Sequence, residues 1–167
     1  MRFEENTDVL YLHKELAVNL SSVENLGEAL NCIIKSVSNN SGLDCGGIYI
    51  SDADKGSLTL AASKGLPDEF LRISSFYPAD SKQVKMAKMG IPLYISFKEH
   101  LNKVDRHENV LENEGLKSIA ILPVIYKGSL IAVLNLGSHS KWEIDKFTQY
   151  ILESIPINIA DSTLIGI

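Results

Sequence analysis

Cysteine is scarce in this chain. The two present, Cys32 and Cys45, are too few for a disulfide framework, and each sits in an apolar pattern that reads as a small buried hydrophobe. Basic charge is also short: 16 Lys and Arg stand against 21 Asp and Glu, a net charge of -5. The positive footprint that a phosphate backbone requires is therefore missing, and nucleic acid is not an expected partner. Long hydrophobic runs are absent too. The longest, Ile119 to Ile125, falls well below the roughly 20 residues a membrane span needs, and the acidic start MRFEEN lacks the basic flank of a signal peptide. No internal repeat or low-complexity segment is found. These absences predict a cytoplasmic domain with no direct membrane insertion, and what remains, 167 residues of which 45% are apolar and 22% charged, suffices for one substantial core.

Val9, Leu12, Leu16 and Leu20 recur at helical spacing and predict a first helix with a narrow apolar stripe. Ser21 and Glu24 have capping-box spacing ahead of a second helix, on which Leu26, Ala29, Leu30, Ile33, Ile34 and Val37 keep the 3.6-residue period until Ser41-Gly42. A β-hairpin follows: Cys45 to Ser51, a turn at Asp52-Ala53-Asp54-Lys55-Gly56, then Ser57 to Ser63. Between Gly65 and Gly115 the pattern weakens into short helical pieces near Asp68 to Ile73 and Ser81 to Lys88, an extended Pro92 to Ser96, and a helix over Asp105 to Glu114. Lys117 to Tyr126 and Ser129 to Leu136, joined by Lys127-Gly128, carry the clearest strand signal. Both are nearly continuously apolar, which requires a sheet covered on both faces. Ile144, Phe147, Ile151 and Ile155 then predict a last helix, and Pro156 predicts a kink or break at Ile155.

The order helix, helix, hairpin, irregular middle, hairpin, helix resembles a GAF domain. The most specific segment is GLKSIAILPVIYKGSLIAVLNL, Gly115 to Leu136, with Pro123-Val124 in the first strand, Gly128 at the turn and Val133-Leu134 in the second. CGGIYISDADKGSLTLAASKGLP is similar to the family's first two strands and their Gly-Leu-Pro exit. The resemblance covers about Leu16 to Ala160 and rests on hydrophobic patterns without a catalytic fingerprint. It implies an α+β, profilin- or PAS-like fold: an antiparallel sheet with a layer of terminal helices on one face and an irregular helical segment over a small-molecule pocket on the other. On this reading the chain is one domain over 1–167, with an N-terminal linker helix at 1–20, a core at 21–160, and the start of a C-terminal connection at 161–167, whose apolar end suggests a longer parent. The family's members are typically sensor or dimerisation modules of histidine kinases and related signalling proteins.

The pocket candidates are Tyr49, Phe76, Tyr77, Tyr94, Phe97, His107 and Ser118, since rings with a few polar groups suit a mostly apolar pocket; core filling explains the aromatic ones nearly as well. No cofactor is predicted. Asp52, Asp54 and Gly56 have a calcium loop's alternating carboxylates, but Ser57 and Ser63 stand where its glycine and closing glutamate belong. His100 and His107, with Asp105, Glu108 and Glu114 nearby, have the chemistry for a metal or haem, but no second cluster completes a site. Asp105-Arg106-His107 offers no cysteine for the bilin of phytochrome-like members. Asn102-Lys103-Val104-Asp105 matches the family's cyclic-nucleotide motif poorly, because its phenylalanine is absent. Lys82, Lys85 and Lys88 read as a solvated stripe.

The function expected is a small-molecule-sensing or dimerising regulatory domain, not itself an enzyme, covalently linked to a kinase or other output domain, with a sensor histidine kinase as the leading parent. Ligand binding would order the middle segment and shift the packing of the terminal helices against a partner subunit. Val9, Leu12, Leu16, Ile144, Phe147 and Ile151 are the candidates for that helical layer and a homodimer interface. The alternatives are a pocket enzyme on the same fold, such as a free amino-acid sulfoxide reductase, and a relay spacer that binds nothing.

Overall fold

In the computed structural model, which describes residues 2–99, 115–162, 164 and 165, the chain opens with α1 (Arg2–Ser21) and α2 (Leu26–Ser41). The cap of α2 lies four residues later than the Ser21–Glu24 spacing predicts. Asn25 Oδ1 accepts the Glu28 amide at 2.9 Å, and Glu28 Oε2 accepts the Glu24 amide at 2.9 Å. Ser21 is instead the last residue of α1, its hydroxyl donating back to Val18 O at 2.6 Å. α2 ends as expected at Gly42, whose φ of +71° lets its N–H reach Ser38 O.

The hairpin β1 (Cys45–Ser51) and β2 (Leu58–Lys64) follows. Asp52 Oδ1 accepts the amides of Lys55 and Asp54 at 2.8 and 2.9 Å, and these bonds hold its carboxyl below its ordinary range. That geometry is an Asx turn in solvent. The middle supplies α3 (Asp68–Ser74), a two-residue strand β3 (Phe76–Tyr77), α4 (Lys82–Lys88), β4 (Leu93–Ser96) and a 3₁₀ turn at Phe97–Glu99. The helix expected over Asp105 to Glu114 lies outside the described residues. β5 (Ser118–Tyr126) and β6 (Ser129–Ser138) close on Lys127 and Gly128, both at positive φ (48° and 80°), as a twist-matched two-residue turn demands. α5 (Lys146–Glu153) starts on an Asp145 cap, and α6 (Ile155–Ala160) begins after a break at Ser154. Pro156 thus occupies a first-turn position, where its missing N–H has no intrahelical bond to lose.

The strands form one antiparallel sheet in the order β3-β2-β1-β6-β5-β4. The nearly unbroken apolar strands β5 and β6 lie inside it and are covered on both faces. On one face, Ile48, Ala120, Leu122, Val124, Ala132, Leu134 and Leu136 meet α1, α2, α5 and α6 in a single continuous cluster. Each large side chain buried there contributes about 1.5–3 kcal/mol. The fold is therefore α+β, an antiparallel sheet with a layer of terminal helices on one face, as the element order implied.

Candidate functional site

The second face of the sheet is organised differently. Near β2 and α4, Tyr49, Leu58, Val84, Ala87 and Val133 form one buried cluster. Tyr49 donates its hydroxyl hydrogen to Ser74 O at the end of α3, at 2.8 Å, and its ring packs on Tyr77 with centroids 5.4 Å apart. Burial pushes both phenols above their ordinary pKa, so they stay neutral. At the other end Cys45, Phe97, Leu116 and Ile119 form a second cluster.

Between the two clusters runs a ladder row, Gly47 opposite Asn135 opposite Ile121 opposite Leu93. Alternation along β6 puts Asn135 on the face of Val133 and Gly137. Its Oδ1 is buried and has no hydrogen-bond partner among the described residues, a condition that costs about 1–3 kcal/mol. Gly47 beside it is closely approached, because a Cβ there would stand 2.8 Å from Leu60 Cδ1 and the leucine end would have to shift. Gly137, two residues along, is equally constrained: its Cβ would lie 2.9 Å from Leu116 Cδ2. The row therefore presents one carbonyl acceptor, flanked by two glycines, within apolar walls.

The residues expected to line a pocket do not all share this face. Tyr49, Tyr77 and Phe97 belong to it. Phe76 is exposed on β3. Tyr94 pairs with Ala120, which places it on the helical face, where its hydroxyl donates to Glu153 Oε1 at 3.0 Å. Burial, and then that carboxylate, raise its pKa. Ser118 is buried on the helical side and donates to Lys141 O at 2.7 Å, anchoring the loop after β6. A groove of about 320 Å³ opens beside Tyr94, lined also by Ser96, Trp142, Asp145 and Gln149. His107, with His100, Asp105, Glu108, Glu114 and the Asn102-Lys103 motif, lies outside the described residues.

The terminal-helix candidates are divided as well. Leu16, Ile144 and Ile151 are buried in the domain's own core, with Leu12 and Phe147 packed against it and Val9 half-buried. Among the described side chains of α1, the large apolar ones turned outward are Leu10, Tyr11 and Val18. His13 bonds the Tyr150 carbonyl at 3.1 Å, which ties α1 to α5. Lys82, Lys85 and Lys88 are exposed. Cys32 is half-buried, and burial raises its thiol pKa, which opposes nucleophilic use. Asn135 was missed at the sequence level, although an amide inside the apolar run LIAVLNL is a visible signal.

No helix among the described residues is long and apolar enough to cross a membrane. No curated protein matches the chain by sequence. The chain resembles a GAF domain from a phosphoenolpyruvate-protein phosphotransferase of Coxiella burnetii, with a TM-score of 0.71 at 17% identity over 92% of this chain and 91% of that one. A domain of a protein described as a two-component sensor histidine kinase from Sinorhizobium meliloti gives 0.63 at 13% identity, over 83% and 90%. The chromophore-binding domain of a Stigmatella aurantiaca phytochrome gives 0.65 at 14% identity, over 92% of this chain and 59% of that one. At such identities the likeness establishes the fold. The family model for the GAF domain matches residues 25–160, from the cap of α2 to the end of α6, and the chain accordingly belongs to the GAF domain family.

Proposed function

We propose that this chain is a regulatory, small-molecule-sensing domain of a signal-transduction protein, with a sensor histidine kinase as the leading parent. The N-terminal helix over 1–20 would serve as the linker and 21–160 as the sensing core. The observation that carries the reading is the buried Asn135 Oδ1, unpartnered among the described residues, on the row where Ile121 lies between two apolar clusters. Such an acceptor asks for a ligand that donates an N–H or O–H and is otherwise largely apolar, because a ligand-borne donor removes the desolvation penalty the amide now carries.

The coupling to output would run through β6. Asn135 faces the row, while its neighbours Leu134 and Leu136 face the terminal helices, so a ligand that shifts the strand is felt at both faces. A second copy of the chain would meet the outward side chains of α1, Leu10, Tyr11 and Val18, since Leu16 is already spent in the core. A catalytic role is disfavoured by the thiols: Cys45 is fully buried and Cys32 has a raised pKa.

The test is a thermal-stability screen of the purified domain against cyclic nucleotides, haem, amino acids and other small metabolites. A ligand at 100 times its dissociation constant stabilises by about 2.7 kcal/mol. The reading expects a stabilising compound whose effect is lost in Asn135→Leu; stabilisation that survives this substitution would move the site away from the row.

A further inference from the structure

We propose a binding site for a borderline divalent cation of the zinc class, formed by Asp44, Cys45 and His139 where β1 begins and β6 ends. The sheet register creates it. Cys45 lies opposite Gly137, and the Asp44 amide donates to Gly137 O at 2.9 Å, so the residue before β1 and the residue after β6 become neighbours although they are 95 positions apart. His139 Nδ1 and Asp44 Oδ1 are 2.9 Å apart, and one donor atom from each of the three residues falls within 4.8 Å of the others.

The donor set selects the cation. Thiolate sulfur, imidazole nitrogen and a single carboxylate suit a four-coordinate borderline ion, whereas calcium and magnesium demand a mostly oxygen shell. Metal bonds of about 2.0–2.3 Å put the donors of a tetrahedral site roughly 3.5 Å apart. The Asp44–His139 separation lies below that value and the others within 4.8 Å, so closure is a matter of adjusting side chains that are already neighbours. Exposure is graded in the sense a cation needs: the Cys45 thiol is 1% exposed, the His139 side chain 31% and the Asp44 side chain 45%. The sulfur lies beneath and the fourth position opens to water.

Two glycines make room for the thiol. A Cβ at Gly137 would lie 3.0 Å from Cys45 Sγ, and one at Gly65, whose φ is +74°, would lie 3.0 Å from Cys45 Cβ. On binding, the cation replaces the thiol proton, which leaves to solvent; the imidazole enters neutral and the carboxylate ionised, so the ion's two positive charges meet two negative ones.

The experiment is a cobalt(II) titration of the chelator-treated protein. The expected result is one cobalt per chain, with a thiolate-to-cobalt charge-transfer band in the near ultraviolet that zinc abolishes. His139→Gln, Asp44→Asn and Cys45→Ser should each weaken binding by more than the roughly 10–100-fold that loss of an outer-sphere partner costs. Absence of the charge-transfer band overturns the proposal, and so does an unchanged cobalt affinity in His139→Gln and Asp44→Asn, or a band that persists in Cys45→Ser, which would place cobalt on Cys32. Should Cys45→Ser fail to fold, the two exposed substitutions still decide the outcome, with circular dichroism confirming that the fold is retained.

Discussion

Replacing Asn135 by leucine tests the proposed ligand row from the side of stability. The native amide holds a buried Oδ1 without a partner among the described residues, a penalty of about 1–3 kcal/mol. Leucine branches at the same carbon as asparagine, is bulkier by its two methyl groups, and introduces no polar atom. Its branched end projects onto a face where Gly47 and Gly137 contribute no side chains and Ile121 provides an apolar neighbour. The ligand-free domain should therefore gain stability, by about 1 kcal/mol once imperfect packing of the new methyl groups is offset against the lost penalty. For a chain of this length that is a rise in Tm of roughly 2–4 °C. The assay is thermal unfolding followed by circular dichroism, run on both proteins without added ligand and then with any stabilising compound from the screen. A site that is destabilised for the sake of a ligand predicts opposite signs: higher Tm without ligand and a lost shift with it. A fall in Tm of more than about 1 kcal/mol equivalent would refute the reasoning, because it would mean that the amide supports the fold.

Gly46→Ala should be among the most damaging single-atom changes, since its Cβ would stand 2.4 Å from the Asn135 backbone oxygen; the overpacking cost of about 1–3 kcal/mol or more is read from chemical denaturation. Tyr49, Tyr77 and Tyr94 have pKa values raised mainly by burial, so the stability they contribute is present below the unfolded value of about 10 and is lost as pH rises through their folded values. An alkaline titration should show these three of the six tyrosines ionising only together with loss of circular dichroism, and smooth ionisation of all six before unfolding would contradict this. Leu10→Asp combined with Val18→Asp, at two outward positions of α1, should leave Tm within about 0.5 kcal/mol equivalent while lowering the native mass of any dimer; an unchanged dimer would place its interface elsewhere.

The central hairpin was legible because two nearly unbroken apolar strands leave a chain of this size little choice but to bury them on both faces. Pro156 was legible for a local reason, a ring that cannot sit inside a helix. The capping box was not. The run SSVENLGE contains two offset boxes, Ser21 to Glu24 and Asn25 to Glu28, and the choice between them depends on how far α1 persists, which packing against α2, α5 and α6 decides. Tyr94 illustrates the same limit for strands: β4 follows an irregular stretch, and only its register against β5 settles which face the ring takes. The periodic stripe through Leu16, Ile144 and Ile151 identified residues that must be buried, but periodicity does not say whether the domain itself or a partner buries them.

Among the described residues the two faces differ in continuity, since on the second face only the half-buried Ile121 packs against both clusters. On the helical side one cluster runs from α1 to α6, so a change anywhere in it is resisted by close-packed neighbours. On the other side two smaller clusters leave Asn135 between them, and Tyr49, the residue that lashes β1 to the end of α3 through the Ser74 carbonyl, stands only two positions from Gly47. A ligand on that row would therefore adjoin both the tether of the middle segment and the strand whose alternate residues hold the terminal helices. The continuous face would hold the fold while a ligand on the other face is bound, so binding there would not require that fold to be rebuilt.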